Sequence, residues 1–410
     1  MADPEVPLRR VLSLPLLTLY GVGTIVGAGF YALLGEVAGL AGSAAPTAIL
    51  LAAVVASFTA LSFAELATRY PVSGGPVRYV EAAFRSRRLA RVVGVAVIFT
   101  GVVSAATLAR AIGGFLEQLH GWPPSASIVL TVGALSALAC WGVGASGWFA
   151  AGIAILEVGV LLCIPFLRFD ALVELPARAS ELLPGAEAPA GGVLLGAFLV
   201  FYAFVGFEDM VTLAEEVRDP ERNLPRAIIA AIAATAVLYV SVAAVAVLAV
   251  PPAELAADAA PVSLLVVDRA PLLQTPVVYV GVLAGLNGAL IQLLMAARVL
   301  YGMRGERGLS AWLGAVHPRR RTPVRATLLV GAIVVALALA FPLVVLASWT
   351  SAILLVVFAT VNVALCILHV REPHGGFRVP RAVPYVGAVL CLALLSVELL
   401  PGELLPSAPH

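Results

Sequence analysis

The feature that most limits how this chain can fold is its repetition of long apolar runs, each about 18 residues or more, from one end to the other. A run of that length spans roughly 30 Å as a helix, the thickness of bilayer hydrocarbon. No water reaches that depth, so the backbone must satisfy its own N–H and C=O groups, and continuous runs do so as helices. Charge density agrees, since 12% of the residues are charged against roughly 25% in a soluble domain. One large soluble core would need far more polar surface than this sequence owns. The expected class is all-α, a polytopic membrane protein.

Polar and proline-bearing breaks divide the runs into about eleven helices, spanning 12–39, 44–68, 91–118, 125–141, 147–167, 192–215, 225–250, 273–303, 323–341, 343–369 and 382–399. The last has Pro384 near its start and Glu398 near its end, so polar residues crowd both of its bounds. Every basic residue is arginine, and arginine placement tests the count. With the amino terminus in the cytoplasm, the inside loops collect Arg9, Arg10, Arg69, Arg78, Arg85, Arg87, Arg88, Arg91, Arg218, Arg222 and Arg226. They also hold Arg298 through Arg325, then Arg371, Arg378 and Arg381. The outside loops hold Arg168, Arg178 and Arg269. That bias fits the positive-inside rule, which a wrong helix count would scramble. The expected location is therefore the cell membrane, multi-pass, with the amino terminus cytoplasmic. Residues 1–10 carry no cleavable signal pattern, and the first run is too long for a signal-peptide core.

Other classes are disfavoured. A net charge of +1 gives no basic field for nucleic acid. Cys140, Cys163, Cys366 and Cys391 sit within or beside apolar runs without metal or disulfide spacing, and read as packing residues. His120, His317, His369, His374 and His410 fall in loops or at helix ends, so no nucleophile–base or metal set forms. The chain reads as no enzyme and as needing no cofactor. A channel would want a continuous polar lining, which helices 3, 4, 9 and 10 do not offer.

Two helices are interrupted at matching places. The first carries Gly21-Val22-Gly23-Thr24-Ile25-Val26-Gly27-Ala28-Gly29, and the sixth carries Tyr202-Ala203-Phe204-Val205-Gly206-Phe207-Glu208-Asp209. Five helices separate them, so they enter the membrane from opposite sides. The chain then divides into a cytoplasmic terminus (1–11), a first inverted repeat (12–168), an outer loop (169–191), a second repeat (192–369), and a loop, eleventh helix and tail (370–410). Broken helices at corresponding positions point to a midplane substrate site in secondary transporters. Glycine lets the chain unwind there and frees amide and carbonyl groups that must find partners. Close helix packing also explains membrane glycines, but not two breaks at symmetric positions.

Beyond the breaks, Phe63-Ala64-Glu65-Leu66-Ala67-Thr68-Arg69-Tyr70-Pro71 closes the second helix, followed by Val72-Ser73-Gly74-Gly75. Then come Gly206-Phe207-Glu208, Glu215-Glu216-Val217-Arg218-Asp219-Pro220 and Asn223-Leu224-Pro225-Arg226-Ala227-Ile228. Ala297-Arg298-Val299-Leu300-Tyr301-Gly302, His317-Pro318-Arg319 and Arg321-Thr322-Pro323 complete the series. In this order and over nearly the whole chain, the set resembles the amino acid–polyamine–organocation superfamily of permeases, with the five-plus-five inverted-repeat leucine-transporter fold. Most such permeases have twelve helices where this chain has eleven, which leaves monomer or homodimer open. Locally, Thr322-Pro323 reads as a helix N-cap with a first-turn proline, and Pro225 as the opening of the seventh helix.

The resemblance implies a permease moving amino acids or related amines by alternating access, proton-coupled or as an exchanger, with polyamine transport or a non-transporting sensor as alternatives. It implies a substrate carboxylate on the amides of Ala28 and Gly29 behind Gly27, where helix 1 resumes. It also implies an amine on the carbonyls of Ile25, Tyr202 and Val205 beside Gly206, with Tyr202 covering the ligand and Glu208 gating. The physics agrees with the anion end, because a helix amino terminus attracts negative charge. Relatives often carry Ser or Thr where this chain has Ala28, so a hydroxyl donor is missing.

Ionisable residues inside the membrane are functional by default. Glu157 lies in the middle of helix 5, Arg110 in the outer half of helix 3 and Glu36 near the outer end of helix 1. Several proton-coupled relatives place a lysine at the Glu157 position. Three readings follow: Glu157 binds a cation, carries the coupling proton, or pairs with Arg110. From Pro276 to Leu309 there is no Ser or Thr, and Asn287 and Gln292 are the only uncharged amide side chains. In the fold that the resemblance implies, the usual sodium site draws hydroxyls from the eighth helix, so proton coupling or exchange is expected over sodium coupling.

Overall fold

The computed structural model describes residues 10–71, 75–141, 147–185, 190–302, 322–372 and 376–398, and each apolar run of the sequence is helical where described. The helices are α1 (Leu14–Ile25), α2 (Ala28–Ala41), α3 (Ala45–Arg69), α4 (Gly75–Phe84), α5 (Arg87–His120), α6 (Pro124–Trp141) and α7 (Gly147–Leu167). They continue as α8 (Phe169–Arg178), α9 (Ala190–Val200), α10 (Pro220–Ala249), α11 (Pro252–Ala257), α12 (Pro261–Leu264) and α13 (Gln274–Gly302). Last come α14 (Val324–Ala340), α15 (Leu343–Arg371) and α16 (Ala382–Val397). Among the described residues there is no β-strand. Among the described residues seven helical stretches are long and apolar enough to cross a bilayer, and Gly152–Leu167 with Phe169–Leu182, bent at 65°, passes the same test only when taken as one span. The shorter apolar helices Leu14–Ile25, Val324–Ala340 and Ala382–Val397 accompany them.

Helix contacts follow from small side chains. In a bilayer, helices associate by close van der Waals approach, because lipid is as apolar as leucine. The most extensive pairing joins α3 to α10, two helices that each bury a series of alanines, Ala48, Ala52, Ala56 and Ala60 in α3 and Ala227, Ala231 and Ala243 in α10. The next joins α5 to α13, where Gly281 meets the Phe115 ring and Gly285 meets Ile112.

Polar groups lock the assembly at three levels. In the interior, Asn362 of α15 accepts from the Ser62 hydroxyl at 2.6 Å and donates to Thr59 at 3.0 Å. Cys391 of α16 reaches Thr59 at 3.5 Å, and Gly387 lies against the Asn362 amide, so α16 docks on a satisfied polar network. At the arginine-rich end, buried Glu65 accepts from Arg69 at 2.6 and 2.9 Å, from His369 at 2.9 Å and from the Val379 amide at 2.8 Å. The Phe63–Pro71 motif thereby joins α3, α15 and the chain entering α16. At the other end, Arg168 pairs with Asp268 at 3.2 Å and Arg269 with Asp170 at 2.6 Å, a reciprocal clasp across residues 168–170 and 268–269. Arg178 pairs with Glu181 at 2.8 Å. The three arginines of this end are each neutralised by a carboxylate.

Two local readings of the sequence are corrected. Pro225 lies inside α10, which begins five residues earlier at Pro220 behind Asp219, a residue in left-handed backbone (φ 48°). Thr322 does not cap α14; its hydroxyl donates to the Cys140 carbonyl of α6 at 2.9 Å, and Pro323 holds the cap position. The Val72–Gly74 and His317–Arg321 motif residues lie outside the described residues.

Candidate functional site

The first break lies between α1 and α2. Ile25 ends α1, and the Gly27 amide turns back onto the Ile25 carbonyl at 2.9 Å. Gly27 precedes α2 in extended backbone (φ −112°, ψ −175°) with no side-chain cap. The amides of Ala28 and Gly29 open the new helix, where no intrahelical acceptor is available. The positive end of α2 thus points into the break.

The second break follows α9. One 3-10 turn covers Phe201–Phe204, Val205 is extended, and a further 3-10 stretch runs Phe207–Leu213. Gly206 between them has φ 128° and ψ −22°, a region open in practice only to glycine. A Cβ there would meet the Thr24 carbonyl oxygen at 2.5 Å, so Gly206 lies directly on the backbone of α1. The Thr24 hydroxyl donates to the Gly206 carbonyl at 3.2 Å and to Gly21 at 3.0 Å. The Gly206 amide donates to the Glu208 carboxylate at 2.9 Å, which fixes that side chain beside the break.

Tyrosines hold the two breaks in register. Fully buried Tyr239 of α10 donates its hydroxyl to the Ile25 carbonyl at 3.0 Å and lies 3.3 Å from the Ala203 carbonyl. Its ring stacks on Phe30, with centroids 3.9 Å apart and planes within 5°. Tyr202 is 4% exposed, and its hydroxyl meets Ser104 of α5 at 3.1 Å. Its ring edge lies where a Cβ on Gly29 would sit, 2.9 Å from Cε1, so it closes over the start of α2. Phe204 packs edge-on to Tyr239, and Phe207 packs against Phe63 and Phe358.

A cavity of about 30 Å³ opens off the first break, lined by Gly23, Thr24, Gly27, Glu157, Asp209, Asn287, Gly288 and Gln292 among others. Glu157 is 1% exposed, and neither of its carboxylate oxygens has a partner among the described residues. The Asn287 Oδ1 and Gln292 Oε1 atoms are likewise buried without a partner. Tyr31 donates to the backbone carbonyl of Glu157 at 2.8 Å, fixing helix position and leaving the carboxylate untouched.

The structure therefore brings Ile25, Gly27, Ala28, Gly29, Tyr202, Val205, Gly206 and Glu208 to one locus, with Glu157 beside it. It does not bring Arg110 there. That half-buried side chain forms no ion pair among the described residues, so the buried Glu157–Arg110 pair is not formed. The Ile25 and Tyr202 carbonyls are engaged already, Ile25 by Tyr239 and Gly27, and Tyr202 by the Val205 amide at 3.2 Å. Sequence reasoning missed Tyr239 and Ser104, which sit in apolar runs where aromatic and hydroxyl side chains read as packing, and gave Thr24 no role of its own within the first break.

Residues 12–407 match the amino acid permease family. The chain belongs to that family. An uncharacterised transporter of Mycobacterium tuberculosis is 35% identical over 399 residues, covering 96% of this chain and 88% of that protein. The methylthioribose transporter of Bacillus subtilis is 28% identical over 413 residues, covering 94% and 87%. A branched-chain amino acid permease of Bacillus subtilis is 28% identical over 417 residues, covering 95% and 88%. The protein is thus a membrane permease for amino acids or related compounds.

Proposed function

We propose that this permease binds its substrate between the two breaks and moves it across the cell membrane by alternating access, proton-coupled or by exchange, with its amino terminus cytoplasmic. The observation that carries this reading is the direct contact of the breaks, Gly206 on the Thr24 backbone, beside the uncapped amino terminus of α2. Unwound backbone at the contact of the two breaks can bend while the helices on either side stay intact. A zwitterion matches the polarity available: its carboxylate suits the Ala28 and Gly29 amides, and its amine suits carbonyls of the sixth helix. Tyr202 covers this ligand. Glu157 and Glu208 are the residues through which coupling and gating act; Arg110 is left without a role in the site.

Gly27 gives the cleanest test, because a Cβ there meets nothing within 4 Å and the backbone is extended. Gly27→Leu should insert and fold, and should lose uptake of radiolabelled amino acids into proteoliposomes, measured with unlabelled amino acids as competitors. Normal uptake by that variant would remove the breaks as the substrate site.

A further inference from the structure

At the arginine-rich end, α4 packs against both α5 and α15. Val77 of α4 lies over Gly94 of α5, and Arg371 of α15 donates to the Ala83 carbonyl at 2.8 Å. After α4 the chain turns at Arg85 in left-handed backbone (φ 52°), a conformation uncommon outside glycine. Beyond the turn, Arg85 and Arg87 line the same recess as Arg78, a cavity of about 400 Å³ walled also by Tyr70, Glu81 and Glu372.

Positive charge is in excess there. Glu81 is shared between Arg78 and Arg87 at 3.7 Å from each, longer than a hydrogen bond. Glu372 accepts from the Tyr70 hydroxyl at 2.9 Å, and the Arg78 guanidinium lies over the Tyr70 ring, 5.7 Å from its centre. Arg85 and the exposed Arg88 form no ion pair among the described residues. Arg87 and Arg88 moreover occupy the first turn of α5, where the helix dipole opposes positive charge. Arginines that serve only to anchor topology need no common recess; these converge on one with room for roughly a dozen waters.

The surroundings select the kind of anion. Val92, Val95 and Phe99 are 64, 51 and 45% exposed and form one apolar stripe along α5. Arg88 lies on that stripe one turn before Val92, about 6 Å along the helix axis. The recess therefore stands where the lipid-covered stripe gives way to charge, at the depth of a headgroup. Guanidinium forks match phosphate oxygens in pairs, and a basic pocket beside membrane helices suits an anionic headgroup. A soluble anion would gain nothing from the stripe.

We propose that this recess binds the headgroup phosphate of an anionic phospholipid through Arg78, Arg85 and Arg87, with the acyl chains lying along Val92, Val95 and Phe99. The bound phosphate ties the end of α3, α4, the start of α5 and the end of α15 into one unit. This site is separate from the helix breaks, and its occupancy does not depend on where substrate binds.

The test uses the full chain purified in neutral detergent, with phosphatidylglycerol titrated as the probe and phosphatidylcholine and sodium phosphate as parallel arms. Bound lipid is counted by native mass spectrometry, and the melting temperature is followed. Phosphatidylglycerol should bind saturably, raise the melting temperature and bind more weakly at high salt. Arg85→Gln combined with Arg87→Gln should raise the concentration needed by about tenfold or more. Arg222→Gln combined with Arg226→Gln, two exposed arginines of α10, should bind as wild type. Equal binding of phosphatidylcholine overturns the proposal, because charge is then not read. Equal protection by sodium phosphate overturns it in favour of a soluble-anion site. An equal loss in the Arg222 and Arg226 variant overturns it in favour of diffuse surface charge. Should the Arg85 and Arg87 variant fail to fold, Arg78→Gln, which leaves the turn intact, decides: weakened binding supports the site, and wild-type binding overturns it.

Discussion

Replacing Tyr239 by Phe removes one oxygen and leaves the ring, which makes it a narrow probe of the joint between the breaks. The hydroxyl meets the Ile25 carbonyl at 3.0 Å and the Ala203 carbonyl at 3.3 Å. A net hydrogen bond contributes about 0.5–1.5 kcal/mol, and a buried acceptor left unsatisfied costs about 1–3 kcal/mol. Ile25 keeps the Gly27 amide at 2.9 Å, so its loss falls at the low end; Ala203 loses the Tyr239 contact outright. The expected sum is about 1–3 kcal/mol, a factor of roughly 5–150 in the population of the joined geometry. The stack on Phe30 survives, so folded yield should not change. Tyr239→Leu also gives up the stack, about 0.5–1.5 kcal/mol beyond area burial, and should lower yield as well as affinity. The assay is substrate affinity by equilibrium binding alongside monodispersity in detergent. Wild-type affinity in Tyr239→Phe together with a damaged Tyr239→Leu would make Tyr239 a packing residue and refute its bridging role.

Gly206→Ala forces a side chain into Gly-only backbone at about 1–3 kcal/mol and crowds Thr24 at about 1–3 kcal/mol more, so its melting temperature should fall clearly; an unchanged melt would sink the close contact. Tyr202→Phe loses the Ser104 bond and should weaken affinity by about 1 kcal/mol. Tyr202→Ala also loses the ring and should cost about 1–3 kcal/mol of affinity, which an unchanged dissociation constant would contradict. Asn362→Leu strands Ser62 and Thr59 and should lower thermal stability while leaving affinity alone; a selective loss of affinity would move that network into the site.

The apolar runs were legible because hydrocarbon tolerates little else, and the breaks were legible because glycine at Gly27 and Gly206 has few other reasons to pair across five helices. Even the inventory of the α13 stretch was informative: Asn287 and Gln292, singled out as its only uncharged amide side chains between Pro276 and Leu309, both line the Glu157 cavity. The facing of side chains was harder to read. Glu157 and Arg110 are both lone charges in apolar helices, and composition alone suggests pairing them, but the face that each presents is set by helix packing. Tyr239 is hidden for the same reason, since its hydroxyl matters only once α10 lies across both breaks. The start of α10 was missed because Asp219, not the proline at 225, makes the turn, and a left-handed aspartate has no distinctive sequence mark.

The hydrogen bonding of the empty breaks bears on how the carrier cycles. Ile25 and Tyr202, carbonyls suited to a substrate amine, are satisfied by Tyr239, Gly27 and Val205 when no substrate is present. A ligand amine at these carbonyls replaces bonds already made, so its net gain is small and the empty joint remains a stable state. An empty carrier that satisfies its own backbone can reorient without substrate, provided the Glu157 carboxylate, which has no partner among the described residues, takes a proton. Net uptake into vesicles holding no internal substrate should therefore proceed, driven by a proton gradient of outward direction. An obligatory exchanger would show no such uptake until the vesicles were preloaded. Uptake that needs preloaded substrate at every imposed pH gradient would refute the self-satisfied empty state and leave exchange as the sole cycle.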